Sequence, residues 1–168
     1  SSDGSTNAFV TVSSGAKEGM LVVGTDLYIA YYDLNKITLV DLTDPATGES
    51  DFIASIADPM GMAEKDGYLY VAQLGLAKIA KVSLFDQSVT DYVTGTANPY
   101  GVAFASNGDL YIANYDDMFI SKYSSGGVYT EDVLSLSHAP TDIEIDDNDN
   151  IYVSTDGGGL RKISADLA

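Results

Sequence analysis

Carboxylates and tyrosines are the side chains through which this chain could do chemistry, and they recur at one position of an internal repeat. Tyr31-Tyr32-Asp33, Gln73-Leu74-Gly75, Asn114-Tyr115-Asp116 and Thr155-Asp156-Gly157 each follow a near-identical apolar run. Three of these four triplets carry an aspartate. Oxygen ligands converging from separate repeats would suit a hard cation such as Ca²⁺. Tyrosine adds rigid apolar area with one hydrogen-bonding tip, a combination favoured on recognition surfaces. The expected ligand-binding set is therefore Tyr31, Tyr32, Asp33, Tyr100, Asn114, Tyr115, Asp116 and Asp156. Its expected ligand is a protein or a glycan, and no residue is assigned a catalytic role.

Other chemistry finds less support. Cysteine is absent, which removes disulfides, thiolate metal sites and cysteine catalysis together. The single histidine, His138, precedes Ala139-Pro140 and reads as a turn residue, since no second histidine supports a general-base role. Asp142, Glu144, Asp146, Asp147 and Asp149 crowd five acids into eight residues, but the glycine and distal glutamate of an EF-hand loop are missing, so 146–150 reads as a hairpin turn. Gly157-Gly158-Gly159 lacks the Lys-Ser/Thr of a phosphate loop and reads as a tight connection.

The elements that must position these residues follow from the repeat itself. DLYIA at 26–30 returns as YLYVA at 68–72, DLYIA at 109–113 and NIYVS at 150–154, which spaces Tyr28, Tyr70, Tyr111 and Tyr152 by 42, 41 and 41 residues. A fixed period near 40 residues is the mark of propeller blades. Each repeat reads as four short strands, a to d, with hairpin residues such as Asp66-Gly67 and Asn107-Gly108 between a and b. Strand b is apolar at consecutive positions, so both of its faces must be covered, as in a small sheet held between two others. The fold class expected is all-β: a propeller of four four-stranded blades over about 16–56, 57–94, 97–136 and 139–164, behind a flexible leader 1–7.

Strand d is expected at 9–12, 52–56, 92–94 and 133–136. The first lies before any blade and the last repeat has none of its own, so 9–12 is expected to lie beside 160–164 and close the fourth blade, removing an exposed edge. The alternative is an exchange of end strands between two chains, a homodimer forming an eight-bladed ring; a third reading makes the chain part of a larger ring.

Pro99-Tyr100-Gly101-Val102-Ala103 followed by Asn107-Gly108-Asp109-Leu110-Tyr111-Ile112-Ala113-Asn114 resembles the repeat of NHL-type β-propellers, a pattern shared with streptogramin-lyase-like and gluconolactonase-like propellers. The resemblance covers nearly the whole chain in four copies, where those relatives carry five to seven blades or more. It implies the fold and not one activity. From the lactonases, which hold a divalent cation with Glu, Asn and Asp oxygens, it implies Glu18, Asn98, Asn114 and Asp116 as metal ligands. A metal-dependent, lactonase-like hydrolase is thus the alternative to a non-enzymatic binding or scaffolding propeller.

Eight basic against 25 acidic residues give a net charge of −17, which repels phosphate backbones and anionic lipid, so nucleic acid is not an expected partner. No apolar run approaches the 18 or more residues of a membrane span, so membrane insertion is not expected either. The opening SSDGSTNA is the kind of stretch found after removal of a secretion signal or behind a lipid anchor, and an extracellular or periplasmic location is the expectation.

Overall fold

The computed structural model describes residues 10–164 and contains four antiparallel sheets built from successive stretches of chain. Blade 1 comprises β1 (Lys17–Val23), β2 (Asp26–Tyr31), β3 (Lys36–Asp41) and β4 (Glu49–Ile53). Blade 2 comprises β5 (Pro59–Lys65), β6 (Tyr68–Gln73), β7 (Lys78–Ser83) and β8 (Val89–Thr94). Blade 3 comprises β9 (Pro99–Phe104), β10 (Leu110–Asn114), β11 (Phe119–Tyr123) and β12 (Tyr129–Ser135). Among the described residues, blade 4 holds β13 (Pro140–Ile145), β14 (Ile151–Thr155) and β15 (Gly159–Ile163). Every sheet is a meander, so the molecule is a four-bladed β-propeller. Among the described residues no helix is long and apolar enough to cross a membrane.

The a to b turns are set by residues that tolerate positive φ: Asp66 and Gly67 sit at 53° and 79°, Asp149 at 59°. The outermost strands β4, β8 and β12 start several residues earlier than the apolar pattern indicates. Glu49, Ser50 and Asp51 belong to β4, because a strand at the rim can take polar residues on its solvent side.

The blades bury the same set of positions at each junction. Tyr28, Ala30 and Ile37 of blade 1 meet Leu69, Val71 and Val82 of blade 2. Tyr70, Ala72 and Ile79 of blade 2 meet Val102, Leu110 and Ile112 of blade 3. Tyr111, Ala113 and Ile120 of blade 3 meet Ile143, Ile151 and Val153 of blade 4. Both faces of strand b are covered, as its unbroken apolar run requires, and each fully buried isoleucine contributes about 1.5–3 kcal/mol.

The closing strand does not form as the repeat pattern suggests. Residues 10–12 form no strand and pair with no part of β15, and Phe9 lies outside the described residues. Val10 and Val12 instead pack on Ile29, Tyr31 and Val40 of blade 1, on the face turned away from blade 2. In the other junctions that face is covered in part by the rim strand of the preceding blade, as Phe52 and Ile53 cover blade 2. The segment therefore fills the place of a rim strand without belonging to a sheet.

No described element packs over Leu160 on the far side of blade 4. Leu160 pairs with Ser154 at the position held in blades 1 to 3 by Ile37, Ile79 and Ile120, each 0% exposed, yet Leu160 is 72% exposed. Blade 1 does not cover it. The physical reason lies in the replacements on that face: Asp142 stands where blades 1 to 3 have Gly19, Gly61 and Gly101, and Ser154 where they have alanine. Polar outer faces of this kind cap terminal repeats. Ile79→Ala is expected to cost about 2–5 kcal/mol in urea denaturation. Leu160→Ala, at the equivalent position, is expected to stay within about 0.5 kcal/mol. Comparable losses would show that blade 4 is covered in solution.

Candidate functional site

The connections after β2, β6 and β10 and those leading into β1, β5 and β9 meet at one end of the propeller. A repeated backbone hydrogen bond fixes them there. The first residue after each strand b donates its N–H to the residue before strand a: Tyr32 to Ala16 (3.0 Å), Leu74 to Asp58 (3.1 Å), Tyr115 to Asn98 (3.1 Å) and Asp156 to Ala139 (2.9 Å). This bond is invisible in side-chain identities, and it is what places Tyr32 and Tyr115 at the mouth.

Between blades 1, 2 and 3 these loops enclose a cleft of about 440 Å³. Its walls are Glu18, Tyr32, Asn98, Tyr100, Tyr115 and Asp116, and Met60 and Leu74 supply apolar surface. Tyr100 and Tyr115 lie with ring centres 5.2 Å apart, inclined by 33°. Burial, and next the charge of Glu18, push the Tyr100 hydroxyl above its ordinary value, so it stays protonated and able to donate. The Tyr115 hydroxyl donates to Asp156 Oδ2 (3.2 Å), and that bond, with the aspartate's charge, raises its pKa as well. Asn98 Nδ2 donates to Asp116 Oδ2.

Of the residues expected to bind ligand, Tyr32, Tyr100, Tyr115 and Asp116 therefore share the cleft, with Asp156 behind Tyr115. Of the metal ligands implied by resemblance, Glu18, Asn98 and Asp116 share it. Three residues stand elsewhere. Asn114 is wholly buried: its Nδ2 donates to Ser121 Oγ (2.9 Å) and its Oδ1 accepts from Ala97 N (3.0 Å). Tyr31 is also wholly buried, and its hydroxyl donates to Glu49 Oε2 (3.0 Å). Asp33 Oδ1 accepts from Ala16 N (2.9 Å), outside the cleft wall.

The last residue of strand b thus works inward. Gln73 does the same as Asn114, donating from Nε2 to Ala57 O (2.7 Å). Read as sequence, such residues look like loop ligands; in space they tie down the neighbouring loop from beneath. Burial and the bond to Glu49 push Tyr31 up to about 12. Burial pushes the Glu49 carboxyl upward as well, yet the bonds it accepts from Ser13 N (2.6 Å) and Tyr31 outweigh this and hold it below the ordinary value. Met60 belongs at this end by the repeat, and the cleft's shape adds Leu74 beside it as apolar lining.

The acidic run divides by role. Asp146 accepts from the backbone N–H of Asn148 and Asn150 (both 2.9 Å) and from the Asn150 amide, so its carboxyl falls to about 2. Asp149 anchors blade 3 through Ser106 N (2.7 Å) and Oγ (2.6 Å). Asp142 and Glu144 face a second, axial cavity of about 260 Å³ with Glu18. Lost hydration raises both of their carboxyls. His138 lies in the loop before β13 with Nδ1 3.0 Å from Ser137 Oγ. Among the described residues no three of His, Asp and Glu stand close enough to hold a metal ion.

With this geometry in view, comparison with known proteins yields likeness of structure alone. No family model and no curated protein matches the chain. Among solved structures, a streptogramin B lyase superposes with a TM-score of 0.67 at 20% identity, over 92% of this chain and 56% of its own. The computationally designed Ika4 protein gives 0.68 at 12% identity, over 95% and 99%. A Bacteroides thetaiotaomicron protein of unknown function gives 0.72 at 14% identity, over 90% and 42%. The β-propeller fold is what they share. The chain spans about half the length of the lyase.

The raised acids of β13 give a signed expectation. A carboxyl raised on folding contributes stability below its ordinary pKa, 3.8 for Asp142 and 4.5 for Glu144, and that contribution is lost as pH climbs through the raised values. The double variant Asp142→Asn, Glu144→Gln should therefore melt higher than the parent at pH 7, with the difference vanishing near pH 4. Asp146 acts oppositely, losing its contribution as pH falls from 3.8 towards about 2. Melting curves across pH 3–8 check both signs, and a lower melting point for the double variant at pH 7 would contradict the first.

Proposed function

We propose that the protein is a non-enzymatic binding propeller that presents the cleft of blades 1 to 3 to a protein or glycan. The observation carrying this reading is one cleft whose walls combine three tyrosines with two carboxylates from blades 1 and 3, over apolar surface from Met60 and Leu74 of blade 2. Tyrosine-rich concavities bury large area at small entropic cost, and truncation of such anchors typically dominates binding loss. The same end of the fold holds His138 away from these groups, so the cleft lacks a histidine placed for proton transfer. An exported, extracellular or periplasmic location belongs to this reading and awaits localisation in cells.

Glycan and peptide arrays probed with the purified protein provide the test. Ligands found there should bind about tenfold or more weakly to Tyr100→Ala and to Tyr115→Ala under conditions where melting curves show each variant still folded. Binding that survives both substitutions would remove the cleft from the function.

A second reading, a lactonase-like metal-dependent hydrolase, draws on Glu18, Asn98 and Asp116 sharing the cleft. These residues offer the oxygen donors a Ca²⁺ ion takes, although the fourth, Asn114, turns its amide inward. If a Ca²⁺ ion binds there, it raises the melting temperature by mass action, chelator reverses the rise, and Asp116→Asn abolishes it. A melting curve indifferent to both Ca²⁺ and chelator would rule against this reading.

A further inference from the structure

We propose that the cleft receives an organic cation: the ammonium or guanidinium head of a lysine or arginine side chain on a protein partner. This rests on the binding reading and names the ligand chemistry of the same site. The argument begins with how the chain treats its own cations. Lys17 and Lys36 stand over the ring of Tyr31, Lys65 over Phe104, Lys81 over Tyr68, Lys122 over Tyr111 and Lys162 over Tyr152, at 3.9 to 5.9 Å from the ring centres. Lys78 pairs with Asp91 at 2.6 Å, and Arg161 donates to Ser137 Oγ at 2.7 Å. All eight basic side chains are thereby engaged on this protein's own rings, carboxylates and hydroxyls.

The three tyrosines of the cleft receive none of them. No basic residue lines that cavity, while Glu18 and Asp116 supply negative charge at its walls. The elements that face Tyr100 and Tyr115 add Asp156 on one side and Glu18 on the other. Ring faces are negative through their quadrupole, and the attraction for a cation within about 6 Å grows when water is partly excluded. Tyr100 and Tyr115 pack on one another, ring centres 5.2 Å apart and inclined by 33°, and line the cleft together with Tyr32 of blade 1. A volume of about 440 Å³ accommodates a long alkyl side chain with its charged head, whose methylenes would lie on Met60 and Leu74. An anionic ligand, by contrast, would enter against both wall carboxylates and the charge of −17 on the whole chain.

The test is NMR titration of the full chain with N-acetyl-lysine methylamide and N-acetyl-arginine methylamide. Their uncharged counterparts, the norleucine and citrulline derivatives, serve as comparators. The two cations should shift the Tyr32, Tyr100 and Tyr115 ring signals, with the neutral molecules at least about tenfold weaker. Tyr100→Ala and Tyr115→Ala should each weaken the cation about 3- to 30-fold. Tyr115→Phe, which keeps the ring and drops the hydroxyl, should retain most of the affinity. Glu18→Gln combined with Asp116→Asn should weaken binding and flatten its salt dependence. Asp142→Asn, in the axial cavity, should change nothing, which guards against a nonspecific effect of total charge. Equal affinity for norleucine and lysine derivatives would overturn the cation and leave the binding reading standing. Absence of any shift, beside an array ligand that is lost on Tyr100→Ala, would do the same. A shift that persists in both alanine variants would place the cation elsewhere and overturn the proposal.

Discussion

The close approach of the innermost strands governs the architecture. A Cβ at Gly19 would lie 2.3 Å from Met60 O, at Gly61 2.7 Å from Tyr100 O, and at Gly101 2.9 Å from Asp142 Cα. None of these contacts can be relieved by turning a side chain, because backbone stands on the other side. Only hydrogen fits, so the three glycines let successive blades converge at the axis while tyrosine, alanine and isoleucine fill the widening space farther out. The loops at the mouth inherit their spacing from this convergence. A cleft shared by Glu18, Asn98 and Asp116 exists because the strands beneath them touch.

The same constraint explains why the fourth blade differs. Asp142 places a charged side chain where blades 1 to 3 carry only hydrogen, and Glu144 beside it adds a second charge to that face. The face that results is polar but for Leu160 and the ring of Tyr152, whereas blade 1 keeps the apolar Ile29, Tyr31 and Val40 and covers them with Val10 and Val12. The two ends thus solve one problem by different chemistry: one replaces apolar groups, the other shields them. Met20 and Val22 remain 68% and 57% exposed at the edge of that shield.

Much of the fold was legible because the repeat fixes it several times over. Four tyrosines at constant spacing, unbroken apolar runs and positive-φ turn residues each state the same blade, and tertiary packing had no competing pattern to impose. Closure was not legible, because it depends on one junction only, and the signal at 9–12 is apolar character without a partner. Val10 and Val12 satisfy that character by packing on blade 1, so burial was anticipated and pairing was not. In the site, Tyr32, Tyr100, Tyr115 and Asp116 could be gathered from topology, since loops at one end of a meander must meet. Tyr31 and Asn114 could not be sorted from them: one residue of sequence separates a side chain beneath the loop from one at the mouth, and the alternation of the strand decides between them.

The charge of the protein has an internal logic that bears on the cleft. A chain with 25 acids and eight bases has few cations to place, and most of those it has lie on aromatic rings at or between the blades, where a lysine stem also covers apolar surface. Neutralising rings in this way stabilises the blades and leaves the loops at the mouth with uncompensated negative potential. The tyrosines there differ from those between blades in neighbourhood and not in kind: Tyr111 has Lys122 over its ring, whereas Tyr100 and Tyr115 have each other and two carboxylates. This aromatic surface has no lysine or arginine over it, stands beside acids, and is carried on loops tied by repeated backbone bonds. Ties of this sort lower the entropic cost of association. Blades 1 to 3 form the walls of the cleft, and blade 4 takes part through Asp156, which accepts the bond that holds the Tyr115 hydroxyl.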